Sequence, residues 1–270
     1  NQYPVEWMKL NREAIEEAGL LGEILTFNRA GFTQTPQYSL MTWQGDQMTT
    51  WDKYDGFISA IRGLVSGGFS GITLNHSDVG GYTSINQLGS SYTRQTQLLK
   101  RWSEMSAFTS LVRTHEGNQP SSNVQVYSNS GIRNHFARTT LMYTALSNYR
   151  RGLFEEAETL GYPVVRHLWL EYPNDENTFE YDLQFMLGSD ILVAPNTQRC
   201  LLPWCTFEQD VYLPEDAWVH LWTGDIFVGP ETIKVEAPIG YPAVFYKQSS
   251  PVASDIIEAF RDNGLDVHSE

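Results

Sequence analysis

The sequence predicts an α/β fold in two parts: the second half of a (β/α)8 barrel over residues 1–162, then an antiparallel β-sandwich over 163–249. Residues 250–270 follow as a tail that is either a short helix or disordered. Three observations predict this. Apolar strand-like runs alternate with amphipathic helical runs up to about residue 160, the signature of a parallel α/β layout. Each of those strands ends in charged or polar groups. Beyond Pro163 the helical periodicity gives way to short β segments separated by Gly, Pro, Asn and Asp, as in a sandwich.

Taken in order, VEWMKLNREAIEEA (5–18) carries apolar residues at helical spacing and stops at Gly19 and Gly22. EILTFNRAG reads as a buried strand with a polar tip, and YSLMTWQGD repeats that form. YDGFISAIRGLVSGG is a helix, followed by a strand in FSGITLNHSDVGGY. TRQTQLLKRWSEMSAF is the next helix and SLVRTHEG a short strand. One long helix is expected over IRNHFARTTLMYTALSNYRRGLFEEAETLG. The β segments are VVRHLWLEY, FMLGSDILVAPN, DVYLPEDAWVHLWTG, ETIKVEAP and PAVFYKQ, and SDIIEAFRDNGLDVHSE can form a terminal amphipathic helix.

In a (β/α)8 barrel the catalytic groups sit at the C-terminal ends of strands. Four successive strand ends carry Arg29, Asp46, Asp78 and His115, which together suggest one active-site rim. A full barrel takes ~250 residues, and four strands cannot close one. Unclosed strand edges are avoided by native proteins. The preceding half is therefore expected elsewhere, in an unseen segment or a second chain, and residues 1–270 alone are expected to be poorly soluble. The chain starts at Asn1 in a helical pattern, as a processed product or an interior piece would.

Hydrophobic residues at 41% and charged residues at 19% describe a soluble globular protein. A net charge of −14 argues against nucleic acid, and no apolar run approaches the ~20 residues that span a bilayer. Aromatics at 13% suit carbohydrate binding and ordinary core packing alike. No His/Cys cluster has metal spacing, so neither a metal nor a cofactor is expected. Cys200 and Cys205 could close a small loop disulfide or stand as two thiols. The pair leans the location toward secreted or luminal, with the cytoplasm open as well. A homo-oligomer is also left open.

The pieces NRAGF, WQGDQ, SGGFSGITLNHSDVGGY and RTHEG, in this order, resemble glycoside hydrolase family 31, the retaining α-glycosidases. GYPVVRHLWLEYP, LGSDILVAPN, VYLP, WVHLWTG and APIGYPAVFY resemble the sandwich that follows that family's barrel. Within the family, LNHSDVGGYTS and RTHEGNQP look most like the sulfoquinovosidase branch. The resemblance implies hydrolysis of a terminal α-linked sugar, an α-glucoside or sulfoquinovoside, by double displacement. It also implies the residue roles that follow.

Asp46 corresponds to the general acid/base, a carboxyl that must donate a proton and then deprotonate water. A Trp43 wall and a second carboxylate would both raise its pKa. The alternative is an Asp that caps the next helix. Arg29 corresponds to an arginine that donates to sugar hydroxyls and holds carboxylates, a task suited to a guanidinium fork; a buried structural ion pair is its alternative. Asp78 would accept from substrate or from Arg29, with Gly80 and Gly81 letting the backbone pass close by, or it marks a strand-to-loop turn. His115 corresponds to a histidine that hydrogen-bonds a sugar hydroxyl. His76 and Trp43 are further wall candidates. Arg113 and Glu116 could pair and support the rim without a direct role. The sequon at 75–77 reads as a glycosylation acceptor whose strand-end position disfavours modification.

A retaining glycosidase also needs a nucleophile ~5–5.5 Å from the acid/base. The family's nucleophile motif is absent from this sequence, and the resemblance puts it upstream of Asn1. Two hypotheses stand: the C-terminal part of an active retaining α-glycosidase, or a catalytically reduced glycosidase-like structural or carbohydrate-binding component of a larger assembly.

Overall fold

The computed structural model describes residues 2–87, 90–200 and 207–268. Helix α1 (Tyr3–Glu17) leads into strands β1 (Phe27–Asn28) and β2 (Met41–Trp43), helix α2 (Phe57–Phe69), and β3 (Asn75–His76). Then come β4 (Asp78–Val79), the hairpin β5 (Ile85–Gln87) and β6 (Ser90–Tyr92), α3 (Thr96–Ser106) and β7 (Arg113–Thr114). Helices α4 (Ser130–Ala145) and α5 (Ser147–Leu160) close this part. The remainder runs β8 (Val165–Arg166), α6 (Leu168–Glu171), β9 (Phe185–Leu187), β10 (Ile191–Ala194), β11 (Glu208–Leu213), β12 (Ala217–His220), β13 (Ile226–Val228), β14 (Glu231–Glu236), β15 (Ala243–Lys247) and α7 (Ala253–Asp262).

The first part is parallel, as alternation predicts. β1, β2 and β3 form one parallel sheet in that order, and β4 pairs parallel with β7. The expected strand over 69–82 is thus two short strands broken at Ser77, whose hydroxyl accepts from the buried Trp102 indole at 2.9 Å. The single helix expected over 132–161 breaks at Leu146. There Arg150 turns inward, donating to the carbonyls of Thr109, Tyr143 and Ala107 at 3.0, 2.9 and 3.2 Å. An all-round helical periodicity cannot register that inward arginine. The antiparallel pair β5–β6 falls between the strand expected over 69–82 and the helix expected from Thr93, in a stretch to which the sequence reading assigns no element.

The second part is antiparallel throughout: a six-stranded sheet ordered β13-β12-β15-β10-β9-β8 and a separate pair β11-β14. Leu192, Ala194, Trp218 and Phe245 on one face of the larger sheet pack with Val211 and Leu213 of β11. Ile191, Val193, Val219 and Val244 alternate onto the other face and join the core under the helices, with Ile256, Ile257 and Phe260 of α7. Burial on both faces explains why ILVA shows no polar alternation. VVRHLWLEY is strand only at β8; His167 Nδ1 then accepts the Trp169 N–H at 3.1 Å and starts the turn of α6. The tail carries a docked helix, α7.

Arg101 and Glu104 of α3 tie the two parts together. Arg101 donates to Glu104 Oε2 at 2.8 Å and to the Ala237 carbonyl at 2.6 Å, while Glu104 Oε1 accepts the Gly240 N–H at 2.6 Å. Both side chains are almost wholly buried. Removing one member of such a pair strands the other charge. Glu104→Ala is therefore expected to destabilise the fold by ~3–5 kcal/mol, and the double replacement Arg101→Met/Glu104→Leu by less. Urea denaturation midpoints at constant m-value measure both.

Candidate active site at the strand ends

Parallel register sets the site. β2 and β3 pair Trp43 with His76, and β4 and β7 pair Asp78 with Arg113, so these side chains leave the strands at one end. Arg29 follows β1 directly, and Asp46 comes three residues after the last residue of β2. Arg29 Nη2 donates to Asp46 Oδ2 at 3.1 Å, and its Cζ lies 5.6 Å from the Trp43 ring centroid. Asp46 is held in place from its own backbone, whose carbonyl accepts the Thr83 hydroxyl at 2.8 Å. It does not cap α2. Asp52 and Asp55 organise that turn instead, accepting the N–H groups of Tyr54 and Met48 at 2.7 and 2.9 Å.

Asp78 is fully buried and accepts from Arg113 Nη2 at 2.5 Å; its other oxygen has no hydrogen-bond partner among the described residues. Its partner is therefore Arg113 rather than the expected Arg29, because register sets Arg113 opposite it while Arg29 is taken by Asp46. Burial pushes the Asp78 carboxyl above its usual range, and the Arg113 charge pulls it back. The nearby Asp46 adds a smaller upward push. His76, also buried, accepts from Arg113 Nε at 3.1 Å through Nε2. A guanidinium can only donate, so the His76 proton is on Nδ1, an atom left unpartnered among the described residues. Burial first, then the Arg113 charge, hold His76 down to about 4, so it is neutral at pH 7.

His115 Nδ1 accepts the Gly117 N–H at 3.0 Å, which puts its proton on Nε2, and Tyr82 stands edge-on to its ring at 4.8 Å. The expected Arg113–Glu116 pair is not formed. Glu116 accepts the Tyr127 hydroxyl at 2.5 Å instead, since Arg113 is drawn inward by Asp78 and His76. Asn75 of the sequon is buried, donating to the Leu64 carbonyl at 3.2 Å, and is closed to modification. Cys205 lies outside the described residues.

The sequence reading passed over Arg94. This buried arginine donates to the carbonyls of Val79, His115 and Glu116 at 3.1, 2.7 and 2.9 Å, bracing the ends of β4 and β7. Nothing in YTRQTQ marks it, because its acceptors are distant backbone atoms. At Gly80, where φ is +86°, a Cβ would meet Arg94 Cδ at 2.4 Å; at Gly81 it would meet the Met48 carbonyl oxygen at 2.7 Å. These are the close approaches that the glycine pair in HSDVGG predicts.

Chemically, the rim combines a partly exposed carboxylate paired to an arginine with a buried second carboxylate. Beside them are buried N–H groups on His76 and Trp43 that have no partner among the described residues. That set can exchange a proton at Asp46 and hydrogen-bond a polyhydroxylated ligand. A cavity of about 660 Å3 lies at the opposite strand ends among Leu25, Leu40, Met41, Leu74 and Phe154 and holds none of these groups. Among the described residues no helix is long and apolar enough to cross a membrane.

Residues 1–146 match the glycosyl hydrolases family 31 TIM-barrel domain, and residues 161–250 match the glycosyl hydrolase family 31 C-terminal domain. The sulfoquinovosidase of Escherichia coli K12 is 44% identical over 254 residues, covering 94% of this chain and 36% of that protein. The sulfoquinovosidase of Agrobacterium fabrum is 41% identical over 256 residues, covering 93% and 36%. The solved structure of a family 31 sulfoquinovosidase from E. rectale, in complex with an aza-sugar inhibitor, superposes with a TM-score of 0.87. It is 38% identical, covering 97% of this chain and 38% of that one. The chain thus spans a little over a third of these relatives' lengths. It belongs to glycosyl hydrolase family 31.

Proposed function

We propose that this chain is the C-terminal portion of a retaining α-glycosidase that cleaves terminal α-linked sugars by double displacement, with Asp46 as general acid/base. The observation that carries this reading is the Arg29–Asp46 pair at 3.1 Å on a strand-end rim, with the buried Asp78 close enough to interact with Asp46. Arg29, Trp43, His76, Asp78 and His115 would line the sugar site. In the first step the Asp46 carboxyl protonates the departing oxygen while a nucleophilic carboxylate attacks the anomeric carbon. In the second, Asp46 takes a proton from water as the glycosyl-enzyme is hydrolysed. That nucleophile is assigned to an upstream strand. Similarity to two sulfoquinovosidases supports a sulfoquinovoside or related α-glucoside as substrate.

On this reading residues 1–162 are the second half of the (β/α)8 barrel, 163–249 its sandwich and 250–270 a tail that carries the short helix α7. The open side of β1 supports it: among the described residues β1 has only β2 as a strand neighbour. Tyr3, Trp7, Leu10, Leu21, Ile24 and Leu25 are exposed nearby in sequence. A preceding half, in the same chain or a second one, would cover that apolar edge.

Asp46→Asn in the complete enzyme is expected to lower kcat/KM on an alkyl α-glycoside, a poor leaving group, by ~10²–10⁴-fold. An aryl glycoside with an acidic phenol should lose far less. Equal cleavage of the alkyl substrate by variant and parent would remove Asp46 from the role. A complete enzyme lacking an upstream Asp nucleophile would favour the catalytically reduced alternative. Residues 1–270 expressed alone should self-associate through the open edge, as light scattering would report; a monodisperse, cooperatively unfolding monomer would contradict the half-barrel assignment.

A further inference from the structure

The parallel ladder is interrupted at the site. Among the described residues β1-β2-β3 and β4-β7 are separate sheets, divided at Ser77, and beyond the strands an isolated parallel bridge, Met48–Thr83, is the pairing that links their two sides. Arg113 crosses the division. From the end of β7 its Nη2 reaches Asp78 on β4 at 2.5 Å and its Nε reaches His76 on β3 at 3.1 Å. Its Cζ lies 4.9 Å from the ring centroid of Trp43 on β2 and 5.4 Å from that of Phe27 on β1. One side chain thus touches residues on the ends of four other strands. The Trp43 indole is shared with Arg29, whose other contact is Asp46.

We infer that Arg113 is a positioning residue for the glycosidase reaction: it bridges the divided sheets, fixes the His76 tautomer and the Asp78 orientation, and holds Trp43 where Arg29 can align Asp46. The inference rests on the proposed function. Three features of a guanidinium are used at once. Its planar fork donates in two directions, to a carboxylate and to an imidazole nitrogen. Its flat faces stack on aromatic rings, each such contact contributing most where water is excluded. It can only donate, so while His76 is neutral its Nε2 is the acceptor and its Nδ1 carries the proton. A lysine ammonium carries the same charge but lacks the fork and the stacking plane. The other titratable groups that act on Asp78 are His115, Asp46 and Arg94. All of them stand on the same rim, so a shift of Arg113 is felt at Asp46 both through Trp43 and through the field.

The test compares Arg113→Met and Arg113→Lys with the parent in the complete enzyme, using 15N NMR of labelled histidine and steady-state kinetics on an alkyl α-glycoside. In the parent, His76 should stay neutral with its proton on Nδ1 down to roughly pH 5. In Arg113→Met it should lose that tautomer preference, while its titration moves up only by the part the Arg113 charge contributes, because burial, the larger cause, remains. The value of kcat should fall roughly 10²-fold with KM little changed, as for a misaligned acid. Arg113→Lys should recover less than tenfold of that loss. An unchanged His76 tautomer in Arg113→Met, or parent-like kcat in Arg113→Lys, overturns the inference. Should Arg113→Met not fold, a folded Arg113→Lys decides: a lowered kcat supports the bridge, a parent-like one refutes it. Should the parent enzyme cleave no glycoside, the proposed function fails, and the His76 tautomer in the variants still decides whether Arg113 orders the rim.

Discussion

Strands of two or three residues leave most carbonyls at their ends without a ladder partner, and buried carbonyls without donors are costly. This chain meets that constraint with buried arginines. Arg94 serves three carbonyls around the ends of β4 and β7, and Arg150 serves three around the α4–α5 break. Arg101 spans from α3 to the turn before β15. Arg166 donates to the Pro163 carbonyl while pairing with Glu156 and Glu171. A guanidinium carries five donors in a fixed plane, so one side chain can replace several missing ladder bonds. Desolvation pulls Arg94 and Arg150 down to about 10, which still leaves both charged at neutral pH.

The site inherits this bracing. Two carboxylates on one rim differ in setting: Asp46 is partly exposed with Arg29, whereas Asp78 is sealed with Arg113. A carboxyl that must pass a proton to an incoming ligand needs access. One that orders its neighbours is better placed in a dry, low-dielectric pocket, where its pair is electrostatically stronger. Trp43, with an arginine near its ring from each pair, couples the two settings mechanically. The glycine pair at 80–81 matters because it lets the β4 loop lie against Arg94 and the Met48 carbonyl, keeping Asp78 beneath the rim.

Much of this was legible in the residues. The alternation of WMKL-type helices and apolar strands marked the parallel part, and polar strand tips marked Arg29, Asp46, Asp78 and His115 as neighbours, which they are. Less legible was who pairs with whom. Asp78 takes Arg113 because strand register sets them opposite, and register between parallel strands is a long-range property that local pattern does not encode. Arg94 and Arg150 were invisible for a related reason: their acceptors are backbone atoms, which every sequence possesses. The break at Leu146 and the division at Ser77 follow from such inward contacts rather than from any Gly or Pro signal.

Among the described residues β1 is an edge strand, and Arg29 follows it directly, so on the proposed reading the surface that closes the barrel and the surface that completes the catalytic pair are one. Folding of the halves onto each other and the appearance of activity then become a single event. A glycosidase of this kind divided just ahead of α1 would be a natural fragment-complementation reporter, dark as two pieces and bright when a fused pair of binding partners brings the halves together. The linker between such halves could be long, since the entropy of closing it grows only slowly with length.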